Sequence, residues 1–263
     1  MKSSVWLLPV VCVAAGCAAR VLTLPAGPAV PFAEAPQVWE QVTAACRDAQ
    51  RYVAQLRVQG WVGSRDQRIA QTLKAAVTRG DDVYLELQVL GTTVFQMAGQ
   101  AGQSTIVFPR DERFLTAPTR DIVSALTGLQ WGGRELLDVL SGCVAAPAGA
   151  VTGERVGSAV RVAIAPSTHA WLREREGRWQ LWAAQIEGWL VEYRLFDGRW
   201  PSTVHVTATG ATPLDLRFTV SQVQVNIDLP PTTFTAIVAS HFQTITLDEL
   251  RSIGPLRDRG TTK

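Results

Sequence analysis

The stretch "GWLVEYRLFDGRWPSTVHVT", residues 188 to 207, decides the fold. Trp189, Val191, Tyr193 and Leu195 fall on one side of an extended chain and Glu192 and Arg194 on the other, the period-two pattern of a strand with one buried face. Asp197-Gly198 then marks a reversal, and Glu176-Gly177, Glu187-Gly188 and Thr209-Gly210 punctuate the same region every ten to twelve residues, as in an antiparallel meander. Downstream, "PLDLRFTVSQVQVNI", residues 213 to 227, sets Leu214, Leu216, Phe218 and Val220 against Asp215, Arg217 and Thr219. Val223, Val225, Ile227 and Leu229 continue one residue out of phase. A bulge or kink near Ser221 is therefore needed to keep one apolar face inward, and "LPP" at 229 to 231 stops the strand.

Upstream the same alternation recurs. Val58 and Val62 flank Trp61; Ile69, Leu73, Ala75 and Val77 alternate with Thr72, Lys74 and Thr78. After the turn "RGDD", Val83, Leu85, Leu87 and Val89 alternate with Tyr84, Glu86 and Gln88, and Phe95 with Met97 and Ile106 with Phe108 complete the first half. Helical spacing interrupts the pattern twice. Trp39, Val42, Cys46, Ala49, Val53 and Leu56 recur at three- and four-residue intervals, which predicts an amphipathic helix opened by Pro36. Residues 119 to 142, "TRDIVSALTGLQWGGRELLDVLSG", carry Ile122, Val123 and Leu126, then Leu136, Leu137 and Leu140, with Gly128 and Gly142 as C-terminal stops. Val144 to Gly153 reads as a loop, and Thr246 with Glu249 as the capping box of a short helix near the end.

The fold class expected is mainly β with an α lid: an incomplete, half-open antiparallel β-barrel of about ten strands, covered by about three helices around an apolar cavity. Side chains just fill a closed barrel of about eight strands, so a wider, open sheet under a few helices leaves apolar room. The expected cavity wall is Val58, Leu73, Leu85, Leu87, Phe95, Val191, Tyr193, Leu216 and Phe218, with Ile122, Leu126 and Leu136 from the lid. Of the nine tryptophans, Trp189 is the best wall candidate because it is in phase with Val191 and Tyr193; about half of the others serve ordinary core and cross-strand packing.

The chain has 263 residues, 47% of them hydrophobic, and 25 basic against 23 acidic residues leave a net charge of +2. No basic block or stripe interleaved with aromatics is present, which sets nucleic-acid binding aside. Lys2 followed by "VWLLPVVCVAAG" predicts a signal peptide over residues 1–16, too short to span a bilayer. "VAAGC", residues 13 to 17, resembles the bacterial lipobox, and that resemblance implies lipidation of Cys17. Ala14 stands where the lipobox most often has leucine, so a plain signal peptide cut nearby is the alternative. Ala18 in place of aspartate after the cysteine implies the outer membrane by lipoprotein sorting rules, with the domain lipid-anchored in the cell envelope and facing the periplasm. Residues 17–35, rich in Pro, Ala and Gly, read as the lipidated N-terminus and tether, 36–240 as the half-barrel domain and 241–263 as a C-terminal tail. With Cys12 in the signal and Cys17 taking lipid, Cys46 and Cys143 remain as one candidate disulfide pair or as two free buried thiols.

Catalytic patterns are missing. His169, His205 and His241 lie in unrelated contexts, without GxSxG, HExxH or a Cys/His cluster nearby, so the expectation is a non-enzymatic protein with no cofactor and no metal.

A helix followed by "LRVQGWVG", then "YLELQVLGTTVFQM", a helical "LTG" through "LLDVLSG", then "GWLVEYRLFDGRWPSTVHVT" and "PLDLRFTVSQVQVNI" together resemble the outer-membrane lipoprotein receptor LolB and its LolA-like relatives, over Trp39 to Leu229. The resemblance implies an incomplete barrel with a helical lid that holds acyl chains of lipoproteins or lipids, a soluble periplasmic carrier as partner, and delivery to the outer membrane by a monomer. It also implies that Val89, Leu90 and Gly91 form a membrane or transfer loop with Leu90 exposed, although the receptors usually carry proline where this chain has Val89. On the residues alone, Leu90 reads equally as the last buried side chain of its strand. The competing function is an anchored structural module with a filled β core that docks an envelope protein; a carrier of glycolipid or another amphiphile is a third.

Overall fold

Fifteen strands hydrogen-bond into one open sheet in the computed structural model, which describes residues 22–144, 151–186, 188–208 and 213–256. Strand β1 (Ala29–Pro31) precedes helix α1 (Ala35–Asp48). A first meander follows: β2 (Arg51–Val62), β3 (Ser64–Thr78), β4 (Val83–Val89), β5 (Thr92–Gln100), β6 (Gln103–Phe108) and β7 (Arg113–Pro118). Helices α2 (Thr119–Thr127) and α3 (Gly133–Leu140) lead to a second meander of β8 (Thr152–Val156), β9 (Ala159–Ala165), β10 (Thr168–Arg175), β11 (Arg178–Ile186), β12 (Trp189–Asp197), β13 (Trp200–Ala208) and β14 (Leu214–Val225). A 3-10 turn, Pro231–Phe234, then β15 (Gln243–Thr244) and α4 (Leu247–Ile253) complete the described chain.

The sheet order is β1-β8-β9-β10-β11-β12-β13-β14-β2-β3-β4-β5-β6-β7-β15, so the two meanders meet at the β14–β2 seam. Neighbouring strands run antiparallel except β15, which lies parallel to β7. Strands β1 and β15 are the edges and do not pair, which leaves the barrel incomplete. Because β7 lies near one edge and β8 near the other, α2 and α3 must cross the face between them. Helix α1 packs on β8, β9 and β11, α3 on β3 and β13, and α2 on β6, β7 and α4. This is the expected open antiparallel sheet with a helical lid, built from more strands than anticipated, and the short helix expected near the end, α4, packs on α2 of the lid. The extra strands are short or alanine-rich, such as β1 and β9, and carry little periodic signal.

Three local readings change. Helix α1 stops at Asp48, so Val53 and Leu56 belong to β2, where Tyr52, Ala54, Leu56 and Val58 alternate inward. The stop is tertiary: the Asn226 side-chain oxygen accepts from the Gln50 and Arg51 amides at 2.8 and 3.2 Å, and its amide donates to the Asp48 carbonyl at 2.6 Å. Leu195 leaves the inward row: its backbone turns left-handed at φ 50° and its side chain is 66% exposed, while the β12–β13 register continues unchanged. The segment expected as a tether contributes β1, and Leu22 and Leu24 pack on the convex face against Trp171, Ala183 and Val156. The anticipated phase change in β14 is a register shift between Ser221 and Gln224, with Gln222 at φ 55°. It returns Val223 and Val225 to the core.

The end of the sheet at the β3–β4 turn is firmly pinned to the lid. Cys46 at the end of α1 and Cys143 just after α3 are joined by a disulfide with Cα atoms 5.3 Å apart. Arg79 donates to Asp138 of α3 at 2.6 Å and to the Cys46 and Ala49 carbonyls at 3.0 and 3.3 Å. Burial pushes the Asp138 carboxyl up, against the pull of the Arg79 guanidinium.

On the convex face His205, 2% exposed, holds Asp215 at 2.7 Å through Nε2, with its Nδ1 3.8 Å from Glu192, itself paired with Arg194 at 2.6 Å. The Glu192 and Asp215 carboxylates facing its ring raise the His205 pKa above the ordinary imidazole value, opposed by burial. Its stabilising contribution is therefore complete below the unfolded-state value and is lost as pH rises through the raised folded value. The urea midpoint is expected to fall as the pH is raised from 5.5 to 8.5. His205→Gln should flatten that slope, and an unchanged slope would discount the pairing.

Candidate functional site

Val89 pairs with Thr92, so Leu90 and Gly91 form the two-residue loop of the β4–β5 hairpin, both with positive φ, 50° and 77°. Loops of this geometry favour Asn-Gly, and a leucine in the left-handed region costs roughly 1–2 kcal/mol. Burial does not offset that cost, because Leu90 is 100% exposed and Val89 is 46% exposed. Folding alone gives no reason for a leucine here.

Beside the hairpin lies an open cleft of about 490 Å³ with Leu87, Val89, Val94, Phe108 and Ile253 on its walls and Arg110 and Asp111 among its polar lining residues. Leu87 and Phe108 belong to the main apolar core, so the cleft floor is the core itself. A second cleft of about 480 Å³ runs between α2 and the β2–β3 turn, past Val62, Ile69 and Leu126. Ile253 and Pro255 line the first cleft and Arg251 and Gly254 the second, so the end of α4 stands between them. Both clefts open at the Leu90 end of the strands, opposite the end pinned by Arg79 and the disulfide.

The expected wall residues Val58, Leu73, Leu85, Leu87, Phe95, Val191, Tyr193, Leu216 and Phe218 and the lid residues Ile122, Leu126 and Leu136 come together in one cluster, each 0–8% exposed. In this closed arrangement they sit among Leu129, Trp131, Leu137 and Leu140, and accessible volume lies along the edges of the lid. Trp189 is half-buried, with its ring 6.3 Å from Trp131 at the lid's margin. The Tyr193 hydroxyl is buried without a hydrogen-bond partner, and burial drives its pKa far above the ordinary phenol value. Cys17 lies outside the described residues. Among the described residues no helix is long and apolar enough to cross a membrane, and no group of three or more His, Cys, Asp or Glu could hold a metal.

Some contributors carry little or only partial signal in the sequence. Leu129 and Trp131 fall in a glycine-rich break, yet fill the space beneath the lid. Arg79 read only as part of a turn. Helix α4 was signalled by its capping box, with Thr246 accepting from the Glu249 amide at 3.2 Å, but nothing local announces that Leu250 is fully buried or that Ile253 borders a cleft.

No protein-family model matches the chain, and no curated protein matches it. Among solved structures it is similar to a LolA superfamily protein from Nitrosomonas europaea, at 8% identity and TM-score 0.45, over 75% of this chain and 97% of that one. It is similar to a DUF1329 family protein from Desulfovibrio piger at 10% identity and TM-score 0.45, again over 75% and 97% of the two chains. A third similarity is to the lipoprotein LppX of Mycobacterium tuberculosis, at 11% identity and TM-score 0.32, covering 73% of this chain and 97% of that one.

Proposed function

We propose that this protein is a non-enzymatic carrier that takes acyl chains of lipoproteins or lipids beneath its lid and passes them to a membrane. The observation that carries the reading is Leu90, fully exposed in an unfavourable backbone conformation beside an apolar cleft floored by the core. Exposing a long acyl chain to water costs on the order of 10 kcal/mol, so unaided transfer between membranes is slow. A protein that shields the chain removes most of that barrier. The wall is closed as it stands, so uptake requires the lid to shift. The lid in this reading moves at the Leu90 end, supported by the clefts that flank α4, and hinges at the opposite end about the disulfide and Arg79. In this reading the chain is lipidated at Cys17, anchored in the outer membrane of a bacterial envelope facing the periplasm, and supplied as a monomer by a soluble periplasmic carrier.

Leu90→Asn tests the loop. Asparagine suits the left-handed position, so the hairpin should gain about 1 kcal/mol in stability. Transfer of a fluorescent acyl lipid from the protein to vesicles should nevertheless slow about tenfold, as the leucine that enters the membrane is gone. Unchanged transfer would remove Leu90 from the mechanism. The closed packing of the wall favours a second reading, an anchored module with a filled core that docks an envelope protein. That version predicts a stable protein partner after crosslinking and no lipid.

A further inference from the structure

At the pinned end, away from Leu90, an open groove of about 490 Å³ runs between the last turns of α1 and the tips of the β10–β11 and β12–β13 hairpins. Its volume falls in the range of about 300–1,000 Å³ typical of small-molecule sites. Val42 and Ala45 form one wall, Trp179, Phe196 and Trp200 the other, and Leu181 with the Cys46–Cys143 disulfide completes the lining. The aromatic wall is held in place from behind: Trp179 packs on Phe32 with ring centroids 5.9 Å apart, and Trp200 stands edge-on to buried Tyr52 at 6.2 Å.

Charge decides what such a groove would accept. Arg178 and Arg199 both line it and are exposed, and no Asp or Glu does. Nearby arginines are neutralised, Arg47 by Glu40 at 2.6 Å and Arg175 by Glu176 at 3.8 Å. Arg178 and Arg199 have no carboxylate partner among the described residues; Arg199 meets only the Trp200 ring, 6.0 Å away. Two unneutralised guanidinium groups beside an apolar, aromatic wall fit a molecule with an anionic head and an alkyl tail.

We infer that this groove binds an anionic amphiphile, with its phosphate or carboxylate head between Arg178 and Arg199 and its tail along Trp179, Phe196 and Trp200. The site is separate from the cleft beside Leu90 and is preformed, since the disulfide and the aromatic contacts fix its walls. It takes the head group that a carrier of anionic lipid would meet, and it also stands without that reading.

Calorimetric titration of the full chain carrying Cys17→Ala, with probes kept below their micelle concentrations, tests it. Dodecyl phosphate should bind at least about tenfold more tightly than dodecyltrimethylammonium. Arg178→Gln with Arg199→Gln, both exposed and so harmless to the fold, should abolish that preference while leaving binding of uncharged dodecyl maltoside unchanged. Inorganic phosphate at millimolar concentration should not displace dodecyl phosphate. Equal affinity for the two charged probes, a preference that survives the double substitution, or displacement by inorganic phosphate alone would overturn the inference. Leu90→Asn should leave these affinities unaltered, so failure of the transfer reading and failure of this one are read separately.

Discussion

Gly60→Ala is expected to lower the melting temperature by on the order of 10 °C, and to do so without touching any proposed ligand contact. Gly60 sits in β2 opposite Leu216 of β14, at the seam that joins the two meanders, with φ 138°. A Cβ there would lie 1.9 Å from the Asp215 carbonyl oxygen and about 3 Å from the next backbone atoms. Since those atoms are backbone, relief requires the two strands to part. The strained dihedral and the clash together cost on the order of 3–5 kcal/mol. Gly63→Ala is the control: its φ is 73° but nothing lies within 4 Å, so only the conformational cost of about 1–2 kcal/mol applies. Thermal unfolding followed by circular dichroism should separate the two variants clearly. Equal effects would mean the seam is not closely apposed at Gly60.

The second large effect concerns the hinge. Reducing the disulfide, or replacing both Cys46 and Cys143 by serine, should cost about 4 kcal/mol, because the bond closes a loop with a sequence separation of 97. In urea the midpoint should drop by on the order of 1–2 M. Arg79 limits the damage by keeping its bonds to Asp138 and the α1 carbonyls. Combining the serine pair with Asp138→Ala, which strands a partly buried guanidinium, should therefore lose more than the sum of the separate changes. Simple additivity would show that the two clasps act independently.

Much of this architecture is legible in the residues, and the failures share a cause. The β14 bulge could be placed near Ser221 because a strand's phase is a local property: valines at 223 and 225 could not face inward without it. The end of α1 could not be placed, since apolar spacing continues through Val53 and Leu56 and the residue that stops the helix, Asn226, bonds to Asp48 across 178 positions. Leu90 stood out as an anomaly in a hairpin sequence, but only the folded chain shows that its side chain points entirely into solvent. The buried, inward-facing residues were identifiable by alternation. Their closure against Leu129 and Trp131 was not, because those two lie in a break without periodicity whose position is set by the crossing of α2 and α3 from one sheet edge to the other.

The central claim is that the apolar face beneath the lid takes up acyl chains when the lid opens at the Leu90 end. Native mass spectrometry of the purified chain carrying Cys17→Ala, followed by displacement with a fluorescent fatty acid, tests it most directly. The account predicts co-purified lipid at close to one molecule per chain, exchanged by the fatty acid. A chain free of lipid that also fails to take up the fatty acid would contradict it.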